Sequence, residues 1–200
     1  MISRRIVLGD VVLDVQESLD DDYSSYTWPC ALILCQYILS ANLKGSALEI
    51  GCGTGLVSLV LVRLGLDVLA TDASSQALTN VIASAQSNQL SLSTRILNWN
   101  DPDTWDLASG TNYIFGSDVF YDPQDFPNIL SMIASLLKQC PKETIFVTAY
   151  QERSSKRSIS ADLARFNLGS KQISTKNLRE QLSLSPPGLD SVFLFQLWLL

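Results

Sequence analysis

Apolar and polar positions alternate along residues 4–16 around Gly9-Asp10. A period of two with a Gly-Asp turn at its centre predicts a β-hairpin. The acidic run Asp20-Asp21-Asp22 and the segment from Tyr23 to Tyr26 read as a loop. Pro29 suits the first turn of a helix, and apolar residues recur from there to about Leu39. Short apolar runs then alternate with helical periods. The pattern predicts strands at Ala47–Ile50, Asp67–Thr71, Thr94–Asn98, Tyr113–Ser117, Thr144–Tyr150, Lys171–Ile173 and Val192–Leu199. It predicts helices at Gly55–Leu64, Ser74–Asn88 with Ser74 as N-cap, Phe126–Lys138, Ile159–Asn167 and Lys176–Leu184.

This alternation predicts an α/β fold, a mostly parallel sheet of seven strands with helices on both faces. The turn Pro186-Pro187-Gly188 lets the last strand insert antiparallel beside its predecessor. The chain shows no internal repeat, low-complexity tract or linker, so residues 1–200 read as one domain. The polar segment Asn100–Asn112 reads as a loop at the mouth of a site.

The stretch Ala47-Leu-Glu-Ile-Gly-Cys-Gly-Thr-Gly55 carries the most chemistry. An apolar run ends in glycines at 51, 53 and 55, and a helical pattern follows at once. Glycines permit positive φ and let a ligand approach the backbone. The free N–H groups of a helix start favour an electron-rich group. Nicotinamide and flavin enzymes use the same device, but their G-x-G-x-x-G spacing would need a glycine at position 56, which is Leu56 here. Glu49 precedes the first glycine by two residues, and the second apolar run ends at Asp72. A carboxylate at that strand tip can hold a ribose hydroxyl pair. Glu-x-Gly-x-Gly-x-Gly with an acidic second-strand tip resembles the S-adenosylmethionine site of Rossmann-like class I methyltransferases. A ligand-free glycine turn is the alternative.

Composition narrows the choice. A hydrophobic fraction of 46% against 17% charged residues supplies a well-buried sheet. No apolar run approaches the ~20 residues of a membrane helix, and no secretory signal follows Met-Ile-Ser-Arg-Arg. The four cysteines form no C-x-x-C pair and read as reduced thiols of a cytoplasmic or nuclear protein. The chain has no histidine, which removes Ser-His-Asp and Cys-His catalysis and His-ligated metal sites. A net charge of −6 argues against direct nucleic-acid binding and suits a Lys- or Arg-rich protein segment.

Ligands of open α/β sheets bind past the C-terminal strand ends. Those ends carry Glu49 with the glycines, Asp72, Asn98-Trp99-Asn100 and Ser117-Asp118. Trp99 suits contact with an adenine ring or the rim of a core, and spacing does not separate the two. Asp118 and Tyr121 put a carboxylate and a phenol after one strand, either as site groups or as a helix cap and a packed ring. Tyr26 and Trp28 add aromatic groups before the first long helix.

Taken together these residues resemble the "family sixteen" methyltransferases, seven-strand enzymes that modify lysines on chaperones and translation factors. The matching features are Trp28, Pro29 and Ala31, then Leu48-Glu-Ile-Gly-Cys-Gly-Thr-Gly-Leu56, Ala70-Thr-Asp72, Leu97-Asn-Trp99 and the D-x-x-Y motif Asp118–Tyr121. The resemblance spans essentially the whole chain. Ser117 through Phe126, Thr148 through Ser154, Gln36-Tyr37 and Pro187-Gly188 are most similar to the family's histone-arginine branch. The resemblance implies cofactor contacts from Trp28, Glu49, Gly51, Cys52, Gly53, Asp72, Trp99 and Ser117. It implies that Asp118 and Tyr121 face the acceptor and are the catalytic pair. The chain lacks the long N-terminal extensions of some members, which removes one candidate substrate-docking segment from the expectation and leaves substrate identity open.

The expected chemistry is methyl transfer from S-adenosylmethionine to a Lys or Arg nitrogen of a protein, with no metal and a monomeric enzyme. A lysine must shed its proton, which desolvation among aromatic groups assists; an arginine needs its planar guanidinium held by a carboxylate. Asp118 suits either acceptor, Tyr121 could orient the nitrogen, and Tyr26 or Phe120 could line the channel. The partner expected is a basic segment of a histone, chaperone or translation factor. A small-molecule methyltransferase and a catalytically weak cofactor-binding scaffold are the alternatives.

Overall fold

The computed structural model describes residues 2–17, 26–151, 153, 159–182 and 186–200. The loop expected over Asp20–Tyr26 lies outside the described residues except for Tyr26. Strands β1 (Ile2–Leu8) and β2 (Val11–Glu17) form the expected hairpin. After α1 (Pro29–Ser40) the chain alternates: β3 (Ser46–Glu49), α2 (Leu56–Arg63), β4 (Asp67–Asp72), α3 (Ser75–Ser87), β5 (Ser93–Ile96), β6 (Tyr113–Ser117), α4 (Phe126–Gln139) and β7 (Ile145–Gln151). It closes with α5 (Ser160–Leu163), β8 (Leu168–Ile173), α6 (Lys176–Glu180) and β9 (Val192–Leu199).

The main sheet has seven strands in the order β5-β4-β3-β6-β7-β9-β8. Only β9 runs against the others, inserted between β7 and β8. The chain winds outward from β3 to β5 and then returns to β6, so β3 and β6 flank the point where winding reverses. A crevice opens there beyond the strand ends.

Alternation along the strands sorts side chains to two cores. Ala47, Phe115, Val147 and Leu194 face α1, α2 and the hairpin. Leu48, Ile114, Phe146 and Leu197 face α4 and the α5 segment. In α4, Phe126, Ile129, Leu130, Ile133 and Leu137 recur at helical spacing and are buried, while Lys138 is exposed. Helix α1 is buried on most of its surface because the sheet, α2 and α6 cover it. Ser74 caps α3 by accepting from the Ala77 N–H at 3.2 Å.

Three expectations need correction. The helix over Ile159–Asn167 ends early: α5 stops at Leu163, and a 3-10 turn over Ala164–Phe166 leads to Asn167 at φ 56°. Helix α6 covers only Lys176–Glu180. The loop 100–112 folds against α4 and contributes no lining residue to the central cavity. Gln139 accepts from the Leu107 and Ala108 N–H groups and donates to the Trp105 carbonyl, drawing the loop downward.

Candidate active site

A cavity of about 550 Å³ opens beyond the ends of β3, β4 and β6. All ten residues singled out from the sequence line it: Trp28, Glu49, Gly51, Cys52, Gly53, Asp72, Trp99, Ser117, Asp118 and Tyr121. Tyr26 lines it as well, but Phe120 does not. Phe120 is buried and packs edge-on against Phe126 and Tyr150, so its proposed place in a channel is withdrawn.

The glycine turn is shaped by close approach. Gly51 has φ 59°, and a Cβ there would lie 3.1 Å from the Val119 side chain. Gly55 has φ 76°, and a Cβ would come within 2.6 Å of Val81 on α3. At the tip of β4, Asp72 accepts from the Gly53 N–H and the Ser74 N–H, each at 2.9 Å. Its carboxylate therefore braces the turn, a second duty that no local pattern in the chain signals.

Glu49 is fully buried. Its Oε2 accepts from the Ser58 N–H at 2.8 Å and the Ser58 hydroxyl at 2.5 Å. Its Oε1 has no hydrogen-bond partner among the described residues. Burial pushes this carboxyl up to about 8 against the opposing effect of Ser58, and the Asp72 charge pushes it the same way.

Two aromatic pairs border the cavity. Tyr26 meets Trp28 edge-on at 5.3 Å, and Trp99 meets Tyr121 at 6.1 Å. The hairpin holds the first pair in place: buried Glu17 accepts from the Thr27 N–H at 3.1 Å and from Arg4 at 3.3 Å. The Thr27 hydroxyl lies 3.2 Å from that of Thr54 in the glycine turn. Hydrogen bonds thus run from hairpin to turn through the residue before Trp28.

Asp118 follows β6 at φ 56°, a left-handed conformation that Asp tolerates better than most residues, and its N–H donates to the Ala149 carbonyl at 2.8 Å. It does not cap α4, whose N-cap is Asp125. Its carboxylate is gripped by Arg153, Nη1 to Oδ1 at 3.0 Å and Nη2 to Oδ2 at 2.6 Å. That bond holds the Arg153 guanidinium above its ordinary pKa. The buried Cys30 thiol is pushed up by burial first and then by the Asp118 charge. Arg153 lines the cavity and was missed from the sequence, where it stands in a polar run without periodicity.

Residues 8–163 match a protein family described as lysine methyltransferase. The chain belongs to that family. It is 35% identical to the histone-arginine methyltransferase METTL23 of Xenopus laevis, covering 77% of this chain and 68% of the relative. The human METTL23 is 36% identical over 72% of this chain and 78% of its own length. A protein N-lysine methyltransferase of Xenopus tropicalis, METTL21A, is 32% identical over 58% of this chain and 56% of its own. Among solved structures, a methyltransferase from Pyrococcus furiosus superposes with a TM-score of 0.65 at 13% identity, covering 92% of this chain and 87% of that one.

The chain is an S-adenosylmethionine-dependent protein methyltransferase of this family. The residues present fit the cofactor. Glu49 Oε1 is an orphaned buried acceptor at the cavity wall, suited to a cofactor N–H donor. Beside it, the backbone of Gly51 lines the cavity at φ 59°, where a Cβ would press on Val119, another lining residue. No metal-binding cluster occurs among the described residues, and no helix among them is long and apolar enough to cross a membrane.

Proposed function

We propose that the chain methylates a Lys or Arg nitrogen in a basic segment of a partner protein, and that residues 1–200 act as one domain. The observation that carries this reading is that the glycine turn, Asp72, Asp118 and Tyr121 share one cavity. Bound S-adenosylmethionine supplies an electrophilic methyl group, whose transfer breaks a carbon–sulfur bond, forms a carbon–nitrogen bond and releases one proton from the acceptor.

The protein's own residues bind and align. Asp72 would accept the ribose hydroxyls while still bracing Gly53. Trp28 and Trp99 offer aromatic faces, Glu49 an acceptor oxygen, and Gly51, Cys52, Gly53 and Ser117 the surrounding backbone and wall. Asp118 supplies negative charge on the acceptor side, and Tyr121, 46% exposed, stands where it can orient an incoming nitrogen. The relatives' names support a protein acceptor, a histone among them, and the net charge of −6 favours a basic one. A histone or another basic protein as acceptor is consistent with action in the nucleus or cytoplasm.

The test is incubation of the purified chain with isotopically labelled S-adenosylmethionine and a cell lysate, with methylated sites mapped by mass spectrometry. Label on Lys or Arg side chains of basic proteins is the expected result. Label confined to small molecules would overturn the reading.

A further inference from the structure

The geometry points to Arg153 as the residue that selects the acceptor: it holds Asp118 until the guanidinium of a substrate arginine takes its place. This rests on the reading of Asp118 as the acceptor-side carboxylate.

The two members of the pair are held differently. The Asp118 side chain is 5% exposed, whereas that of Arg153 is 34% exposed. Asp118 is anchored to the sheet through its N–H on the Ala149 carbonyl. The carboxylate is thus the fixed element and the guanidinium the one that can withdraw toward water. The Arg153 contact also describes what the slot recognises. Both carboxylate oxygens are used, one by each terminal nitrogen, which is a fork that a planar guanidinium fills and an ammonium does not.

Among the described residues, the other carboxyls lining the cavity offer no substitute. Glu49 is buried, with its carboxyl pushed up to about 8, and Asp72 is committed to the Gly53 and Ser74 N–H groups. A cationic side chain entering beside Arg153 meets a like charge unless it takes Asp118 for itself. An arginine makes that exchange fork for fork. A lysine breaks two charge-assisted bonds and regains a point contact, so the exchange discriminates against it. Tyr26 and Tyr121, both half-exposed on the cavity rim, give an entering guanidinium aromatic faces to cross.

The experiment titrates two fluorescein-labelled peptides, alternating Gly-Arg and alternating Gly-Lys, into the full chain with and without saturating S-adenosylhomocysteine. Arg153→Ala should bind the Gly-Arg peptide about tenfold tighter than wild type and the Gly-Lys peptide less than about threefold tighter. The gain should vanish in Asp118→Asn/Arg153→Ala. Arg153→Lys keeps the charge and so guards against misfolding, while removing the fork; it should show the same preference at smaller size. No tightening in either single variant, or equal tightening for both peptides, overturns the proposal and makes Arg153 a fixed support of Asp118. Binding of S-adenosylhomocysteine by each protein is read in parallel. If wild type fails to bind it, the methyltransferase reading fails, while the peptide contrast still reports on the exchange.

Discussion

The Gly53 N–H donates to Asp72 Oδ2 at 2.9 Å, across the gap between the glycine turn and the tip of β4. One carboxylate therefore shapes the turn and serves the cofactor. A strand-tip Asp that only faced a ligand would matter little to folding. Because Asp72 also accepts from Ser74, its removal leaves two N–H groups without their partner.

Asp72→Ala should accordingly lose on both counts. S-adenosylhomocysteine binding should weaken by about 1.5–3 kcal/mol for each charge-assisted bond lost. Stability without ligand should fall by about 1–2 kcal/mol. Calorimetric titration and urea unfolding of the same preparation measure the two losses. Unchanged ligand affinity would remove Asp72 from the cofactor site.

Glu49 makes stability depend on pH. Its folded-state carboxyl, pushed up to about 8, binds a proton more tightly than an unfolded Glu with a pKa of about 4.3. The ligand-free protein should hold this contribution in full below pH ~4.3 and lose it as pH rises toward ~8, by at most about 1.4 kcal/mol per unit. Glu49→Gln should flatten that part of the profile. Urea unfolding of both proteins at several pH values between these limits tests the difference; parallel curves would mean that Glu49 titrates normally.

Gly55 tests the packing of the turn on α3. Its φ of 76° and a Cβ only 2.6 Å from Val81 predict a cost of about 2–4 kcal/mol for Gly55→Ala. A cycle with Val81→Ala should show a favourable coupling above about 1 kcal/mol, because the smaller side chain makes room. Strict additivity in denaturant unfolding would show that the two do not meet.

Catalysis and cofactor binding should separate at Asp118. Asp118→Asn keeps the shape but loses the charge that aligns a cationic acceptor. It should lower kcat/KM at least tenfold, about 1.4 kcal/mol of transition-state stabilisation, with much less effect on S-adenosylhomocysteine affinity. Tyr121→Phe should give a smaller loss of the same kind. Turnover on the substrate found in the lysate experiment decides it, and wild-type activity in Asp118→Asn would exclude that carboxylate from the reaction.

Much of this molecule is legible along the chain because its cues are local. The hairpin, the long helices α1, α3 and α4 and the strands from β3 to β7 follow from period and end signals within short windows. The short α5 and α6 are harder to read, since few residues carry their period and the surrounding packing sets their ends. Phe120 shows the limit for single residues: its place beside Asp118 suggests a channel, but its ring turns into the core against Phe126.

By itself the sequence determined the mostly parallel character of the sheet, the glycine turn and the carboxylates at Glu49, Asp72 and Asp118. Each is a residue type tied to a strand end, and the parallel sheet gathers strand ends into one crevice. Only the tertiary structure decided what those carboxylates hold. Asp118 and Arg153 stand 35 positions apart on the ends of different chain segments. Their pairing follows from β6 lying beside β7, a juxtaposition that no local period records.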